Sequence, residues 1–341
     1  MDPKLLVDLS QSFSNLFQDP QLADVFIEIG KPPETKTFSA HSGLLFARSP
    51  HFASELKNEW VKRKKGNEIK FVKPNISPRI FEIVLRYIYT GAVSLENQNI
   101  LSILEILTAA DELLLEDLIQ YIQSFLLEHR KELLQKNFAT VSQFVFKHEN
   151  FKRLQEYYST LLKYSDIRQI DSWINGNDTA QTSLVPITHK YNLICRGSRD
   201  GFTADNFHRI CDDKGPTVIV IKTNKNDQII GGYSLASWHS RGRSESGVGC
   251  FIFSLGDRNG RDPILSRHAS GQGIACWKTH GPVFGDQRDL VLFDERIQNG
   301  SNNYTKKQSY KVAILSGAEL GFVGYNVQEY EVFQVVDKLL E

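Results

Sequence analysis

The strongest constraint on this chain is a single change of period. Up to about residue 174 the apolar residues recur mostly at helical spacing, and from Leu184 onward they fall into short strand-like runs. Two such halves call for two cores, one of helices around a small sheet and one built mainly from strands. A length of 341 residues accommodates both at roughly 150 residues per domain.

In the first half, Leu5, Leu9, Phe13 and Leu16 mark a helix over 4–17. Asp24 to Ile29 alternates polar and β-branched residues and predicts a strand; Gly30 to Pro33 turns the chain, and Lys36 to Ala40 returns as the second strand of a hairpin. Leu44, Leu45 and Phe46 start a short helix, which Ser49-Pro50 breaks while capping the next. Ile69 and Phe71 mark a third strand. Ser77-Pro78 then opens a helix whose stripe is Ile80, Phe81, Val84, Leu85 and Ile88, closed by Thr90-Gly91. Residues 97–129 carry two further amphipathic helices, and 129–175 continue in helical period. The polar stretch from Ile174 to Ser183 contains Asn-Gly and Asn-Asp pairs and supplies a linker, assigned to 176–182.

Beyond it, Val218 to Ile221, Ile229 to Leu235, Cys250 to Leu255, Leu290 to Phe293 and Tyr330 to Val336 read as strands. Turns rich in Asn and Gly separate them, and only Ala204 to Asp212 reads clearly as a helix. Strands with so little helix between them predict a sandwich or partly closed sheet. The expected fold class is therefore α+β multidomain: a helical cluster with a small sheet, then a two-sheet domain with few helices.

Charge and motifs narrow the function. Lys plus Arg and Asp plus Glu both total 40, so the chain lacks the broad positive field of a nucleic-acid binder. No apolar run approaches the roughly 18 residues of a membrane-spanning helix, and the N-terminal residues lack the pattern of a signal peptide. Cys195, Cys211, Cys250 and Cys276 show no metal-knuckle spacing. These features predict a cytoplasmic protein, with the nucleus as the other compartment, that does not insert into membranes. None of the nine histidines falls in a metal motif. The run Asp257 to Asp262 resembles a calcium loop, but Arg261 sits at a ligand position, and a hairpin turn fits better. Glu329 and Glu331 alternate along a strand and share a side; a solvated charged face accounts for them without an acid–base pair. A peroxide-sensing thiol at Cys195 or Cys276 would need a lowered pKa and exposure. The reading is a protein without catalytic residues, cofactor or metal.

Two ordered sets of residues carry family resemblances. The hairpin, Ala40-His41, Leu44 to Phe52, Ser77-Pro78, Tyr87 to Gly91 and Ala109 to Leu113 together resemble a BTB/POZ domain, taken as 1–128. That resemblance implies a frequent homodimer used as an adaptor. Leu5, Leu6, Leu9, Phe13 and Leu16 would form the dimer interface, since so apolar a helix normally needs a partner; packing onto its own domain is the alternative. In repressor-type members an Arg after the His neutralises the Asp that begins the first strand. Here Ser42 follows His41, so Asp24 is expected to be a structural carboxylate held by backbone or by the Ser42 hydroxyl. In cullin-binding members a hydrophobic residue, any residue and an acid follow the third helix. Trp60, Val61 and Lys62 occupy those places, which keeps the apolar anchor and replaces the acid with a base. Lys62 to Lys65 also resembles a nuclear import signal, although its place between a helix and a strand suits a solvated loop better. Residues 129–175 resemble the start of a BACK-like helical array.

In the second half, Ser198, Asp200, Gly201 and Phe207, then Gly232 and Trp238, then Gly281, Pro282, Gly285 and Asp289, and finally Glu331 resemble a TLDc domain over 183–341. That resemblance implies a two-sheet β fold, roles in oxidative-stress resistance and, in several members, binding to the vacuolar proton-pumping ATPase (V-ATPase), with no settled catalytic activity. From the residues themselves, Thr203 should cap the helix of Phe207, and Gly231-Gly232 should mark a bulge or a close backbone approach. The functional expectation is an interaction scaffold: a homodimer that serves as a substrate adaptor of a cullin-3 ubiquitin ligase, with a V-ATPase regulator as the alternative.

Overall fold

The computed structural model describes residues 3–62, 69–148, 150–178, 187–224, 228–256, 262–292 and 303–337. Its contacts divide the chain into two compact units, one of 1–134 with 148–153 and one of 135–147 with 154–341.

The first unit contains α1 (Pro3–Gln18), β1 (Val25–Ile29), β2 (Lys36–Ala40), α2 (Ser42–Arg48), α3 (Pro50–Lys62), β3 (Ile69–Lys73), α4 (Pro78–Thr90), α5 (Ile100–Glu112) and α6 (Glu116–His129). β1 and β2 form the expected hairpin, with Val25 opposite Ala40 and Ile27 opposite Phe38. β3 joins the other edge of β1 in parallel, pairing Ile27 with Phe71, so the sheet order is β2-β1-β3. Alternation sets which face is buried: Val25, Ile27 and Ile29 all point into the core. α4 begins with Pro at its first turn and ends at Gly91, whose left-handed conformation (φ 70°) lets its N–H reach the Tyr87 carbonyl. Its stripe Ile80, Phe81, Val84, Leu85 and Ile88 is buried, as helical period requires.

The helices α7 (Lys131–Lys136), α8 (Phe138–Val145), α9 (Lys152–Tyr158) and α10 (Tyr164–Ile174) precede the β-rich part. That part runs β4 (His189–Arg196), α11 (Gly197–Asp200), α12 (Ala204–Cys211), β5 (Thr217–Thr223), β6 (Ile229–Ser234), β7 (Arg243–Ser246), β8 (Phe251–Ser254), β9 (Ile264–Arg267), β10 (Gln272–Cys276), β11 (Val283–Phe284), β12 (Leu290–Val291), β13 (Tyr304–Thr305), β14 (Val323–Gly324) and β15 (Val327–Asp337). Among the described residues these strands form two six-stranded sheets, β4-β15-β5-β6-β8-β9 and β14-β13-β12-β11-β10-β7, with every pairing antiparallel. Ile219, Ile221, Ile230 and Ile252 of the first sheet share one core with Ile274, Cys276, Phe284 and Leu290 of the second. The result is the α+β arrangement expected, with a two-sheet C-terminal part.

The β-rich unit starts well before residue 183. Asp171 on α10 is buried and accepts hydrogen bonds from the backbone N–H groups of Thr188 (2.9 Å) and His189 (3.1 Å) and from the Tyr191 hydroxyl (2.9 Å). Trp173, two residues on, is buried against Phe251 and Phe253 of β8. α10, at the end of the helical segment 129–175, therefore completes the sheet core. The polar stretch at 176–182 marks no border between cores; its residues beyond Asp178 lie outside the described residues. The expected turn at Asp257 to Asp262 also falls there, apart from its last residue, as does the basic run at Arg63 to Lys65.

Candidate interaction surfaces

On the first unit, α1 divides its apolar residues between two directions. Phe17 packs edge-on to Tyr89 of α4 at 5.4 Å, the Arg86 guanidinium lies over the Phe17 ring, and the Ser10 hydroxyl donates to the Thr90 carbonyl. Phe13 and Leu16 are half-buried, whereas Leu5 and Leu9 stand 62% and 54% exposed, with Val7 exposed as well. The Leu6 side chain is outside the described residues. Thus the four described residues expected at a dimer seam do not share one role: Leu5 and Leu9 face outward, while Phe13 and Leu16 are half-buried. An open cleft of about 540 Å³ lies beside them, lined by Val7, Ser10, Gln11, Arg86, Thr90 and Val93.

Asp24 precedes β1 and is held by Ser42, whose backbone N–H donates to one carboxylate oxygen (2.8 Å) and whose hydroxyl donates to the other (2.7 Å). A satisfied, half-buried carboxylate offers no charged groove. His41 presents its backbone N–H to the Tyr89 hydroxyl at 3.0 Å, and its Nδ1 lies 2.6 Å from the same oxygen. Burial pushes the Tyr89 hydroxyl above its ordinary pKa. Trp60, Val61 and Lys62 form the last turn of α3; their side chains lie outside the described residues.

In the β-rich unit, Phe207, Gly232, Trp238 and Phe284 meet in one place. Thr203 caps α12 by accepting from the Asn206 N–H, which sets the helix so that Phe207 points inward. The Trp238 ring meets Phe207 and Phe284 edge-on at 5.5 and 5.4 Å, and its indole N–H donates to the Thr217 hydroxyl at 2.8 Å. A Cβ on Gly232 would fall 2.5 Å from the Phe284 ring, and one on Gly231 would fall 2.1 Å from the Ile219 carbonyl. Close approach, and not a bulge, explains this glycine pair. Gly281-Pro282 exchanges backbone hydrogen bonds with Leu292. Gly285 sits at φ 79°, where a side chain would be strained and would meet the Asp289 carboxylate. Asp289 is buried and accepts the N–H groups of Gln308, Ser309 and Tyr310 at 2.6–3.0 Å, fixing the loop after β13.

Glu331 corrects the expectation of a solvated acidic face. It has no exposed surface. Arg196 Nε donates to it at 2.8 Å, and so do the Ser159 hydroxyl (2.5 Å), the Thr160 N–H (2.9 Å) and the Thr160 hydroxyl (2.9 Å). Glu329 is half-buried instead and accepts from the Ser198 N–H at 3.1 Å. Strand alternation places both carboxylates on one side, but Ser159 and Thr160 close over Glu331, partnerships 172 and 171 residues apart that no local pattern reveals. Asp200 accepts the Arg196 N–H and is gripped by Arg199. Burial acts to raise its pKa, and these bonds outweigh that and hold the carboxyl below its ordinary range. Gly201 takes φ 101°.

All four cysteines are buried, so the exposure a peroxide-sensing thiol requires is missing. The Cys195 thiol lies 3.3 Å from the Tyr330 hydroxyl. A hydrogen bond with Cys211 favours the Cys195 thiolate over burial and correspondingly raises Cys211. Burial pushes Cys276 up to about 12. Among the described residues no cluster of His, Cys, Asp and Glu could hold a metal ion, and no helix is long and apolar enough to cross a membrane.

Residues 155–336 match the TLDc domain and residues 13–130 the BTB/POZ domain. Among solved structures the chain is similar to the BTB domain of zebrafish PATZ1, at 23% identity over 36% of this chain and 88% of that one, with a TM-score of 0.27. It is similar also to the BTB domain of human Gigaxonin, at 22% identity over 37% and 93%, with a TM-score of 0.30. With more than half of its residues in the TLDc match and a BTB/POZ domain ahead of it, the chain belongs to the TLDc-domain family, as a BTB–TLDc protein.

Proposed function

We propose that this protein is a non-enzymatic scaffold that self-associates through its BTB/POZ domain and uses its TLDc domain to hold a client. The observation that carries this reading is the outward face of α1, where Leu5, Val7 and Leu9 are exposed beside an open cleft. An apolar patch on a helix already anchored from behind is characteristic of an isologous interface. Sedimentation of the full chain should give a dimer at micromolar concentration, and Leu5→Asp with Leu9→Asp should give a folded monomer. A wild-type monomer, or a dimer untouched by both changes, refutes the seam.

As a ligase adaptor, the dimer would bring cullin-3 to that client through the last turn of α3. Trp60→Ala should then cost about 2 kcal/mol or more of affinity for the cullin-3 N-terminal region. Lys62→Glu should tighten binding by restoring the acid of cullin-binding members. No measurable affinity in either form removes the adaptor reading and leaves V-ATPase regulation, which predicts that V-ATPase subunits co-purify through residues 135–341.

A further inference from the structure

The outer side of the second sheet carries an apolar strip that none of the motif residues explains. Ala275, Val283, Val291 and Tyr304 form a small cluster there, separate from the main core, with Trp277 packed against it. Phe322 continues the strip by meeting Tyr304 edge-on at 5.0 Å. Leu320, two residues earlier, stands 96% exposed, and Phe322 is 67% exposed. The tip is built firmly. Asp289 pins the chain after β13, the Lys307 N–H donates to the Ala318 carbonyl, and the Leu320 N–H closes a turn on Gly317, which sits at φ 89°.

Cations surround this apolar end. The Lys306 ammonium lies 4.7 Å above the Phe322 ring, Lys307 is exposed, and Arg288 lies 5.1 Å above Trp277 while donating to the Tyr304 hydroxyl. From Asn303 to Gly324 three lysines stand against one acid, Glu319. A side chain as exposed as Leu320 projects from the described residues and is not walled into a pocket by them.

We propose that this tip docks on an anionic lipid surface, with Leu320 and Phe322 entering the interface and Lys306, Lys307 and Arg288 meeting the headgroups. A projecting apolar end needs a soft medium to enter, which a bilayer interface supplies. Lys306 stacked on Phe322, with Arg288 and Lys307 nearby, holds positive charge at headgroup depth, where the negative surface potential of the lipid attracts it. An acidic protein segment would satisfy the lysines but leave Leu320 in water. The contact is peripheral and involves no spanning segment.

The test is co-sedimentation of the full chain with vesicles of phosphatidylcholine alone or with about one-third phosphatidylserine. The charged vesicles should bind at least tenfold more tightly, and 0.5 M salt should weaken that binding. Leu320→Asp with Phe322→Asp should reduce it at least tenfold. Lys306→Glu with Lys307→Glu should do the same. All four positions are at or near the surface, so thermal unfolding of each variant should match the wild type. Val248→Asp, a change at another exposed apolar residue, should leave binding unaltered. The proposal is overturned by equal binding to both vesicle types, by no binding to either, or by tip variants that bind like the wild type. If the tip captures a poly-glutamate peptide while vesicles fail to bind, the occupant is an acidic protein segment and the lipid reading falls.

Discussion

Removing the Glu331 carboxylate tests most directly how the β-rich unit is closed. Glu331→Ala deletes an acceptor that takes hydrogen bonds from Ser159, Thr160 (twice) and Arg196, all in surroundings with no exposure at the carboxylate itself. The Arg196 guanidinium, only 14% exposed, is left without its counter-charge, although it keeps the Glu156 carbonyl. Breaking a buried pair from one side costs about 3–5 kcal/mol. At roughly 2–4 °C per kcal/mol for a unit of this size, melting should fall by about 6–20 °C. Urea unfolding read by tryptophan emission suits the measurement, because Trp173, Trp238 and Trp277 all lie in this unit. The midpoint should drop at constant slope. Glu331→Gln, which keeps the shape and one acceptor oxygen, should lose about half as much. Adding Arg196→Leu to Glu331→Leu should recover much of the loss, since an apolar pair leaves no charge stranded. A Glu331→Ala chain within about 1 kcal/mol of wild type refutes the closure argument.

Three further outcomes follow from the same geometry. A fragment of 183–341 should unfold at far lower urea than one of 135–341, because it lacks Ser159, Thr160, Asp171 and Trp173; equal midpoints would make the helices dispensable. Burial alone would raise Asp171, but bonds from His189, Thr188 and Tyr191 prevail and leave its carboxyl below the ordinary value. Its stabilising contribution is therefore complete above the unfolded carboxylate pKa of about 3.9 and is lost as pH falls through the lower folded value. Asp171→Asn should flatten that acid limb of stability below about pH 4, as read by urea midpoints across pH. Gly232→Ala should destabilise the unit by about 1–3 kcal/mol through overpacking against Phe284, with Phe284→Leu restoring part of the loss in a thermal melt.

Elements with local causes were legible from the residues alone. The β1–β2 hairpin, the Pro-to-Gly span of α4 and the Thr203 cap each arise from neighbours a few positions apart, where period and turn chemistry act. Several strands were not legible. β4 carries His189, Lys190, Asn192 and Arg196 among its apolar residues, which blurs alternation. β11, β13 and β14 have two residues each, too few to show a period, and are held by pairing across the sheet. The border at 183 was misplaced for a related reason: a polar loop looks like a linker locally, and only long-range contacts from Asp171 and Trp173 assign α10 to the sheet. The glycine pair at 231 and 232 was legible only as a bulge or a close approach; the ring that settles it comes from Phe284, 52 residues beyond Gly232.

The motif residues of the TLDc domain are largely absorbed in building it. Gly232 admits Phe284, Trp238 spans two aromatic neighbours, Gly285 makes room for Asp289, Asp289 gathers three backbone N–H groups, and Glu331 neutralises Arg196 from within. A substitution at any of them acts first on the folded fraction. A loss of about 2 kcal/mol in a marginally stable unit can lower cellular abundance several-fold without touching a partner. Lost function at these positions is thus no evidence that they contact anything. Contact residues have to be sought where a side chain contributes little to its own fold and much to an exposed surface. In the two units those places differ in kind: a face of α1 with Leu5 and Leu9 outward, and a cation-ringed tip at Leu320 and Phe322. Substitutions there should leave melting intact while abolishing association. That pairing of an unchanged melt with lost binding separates an interaction residue from a structural one in this protein.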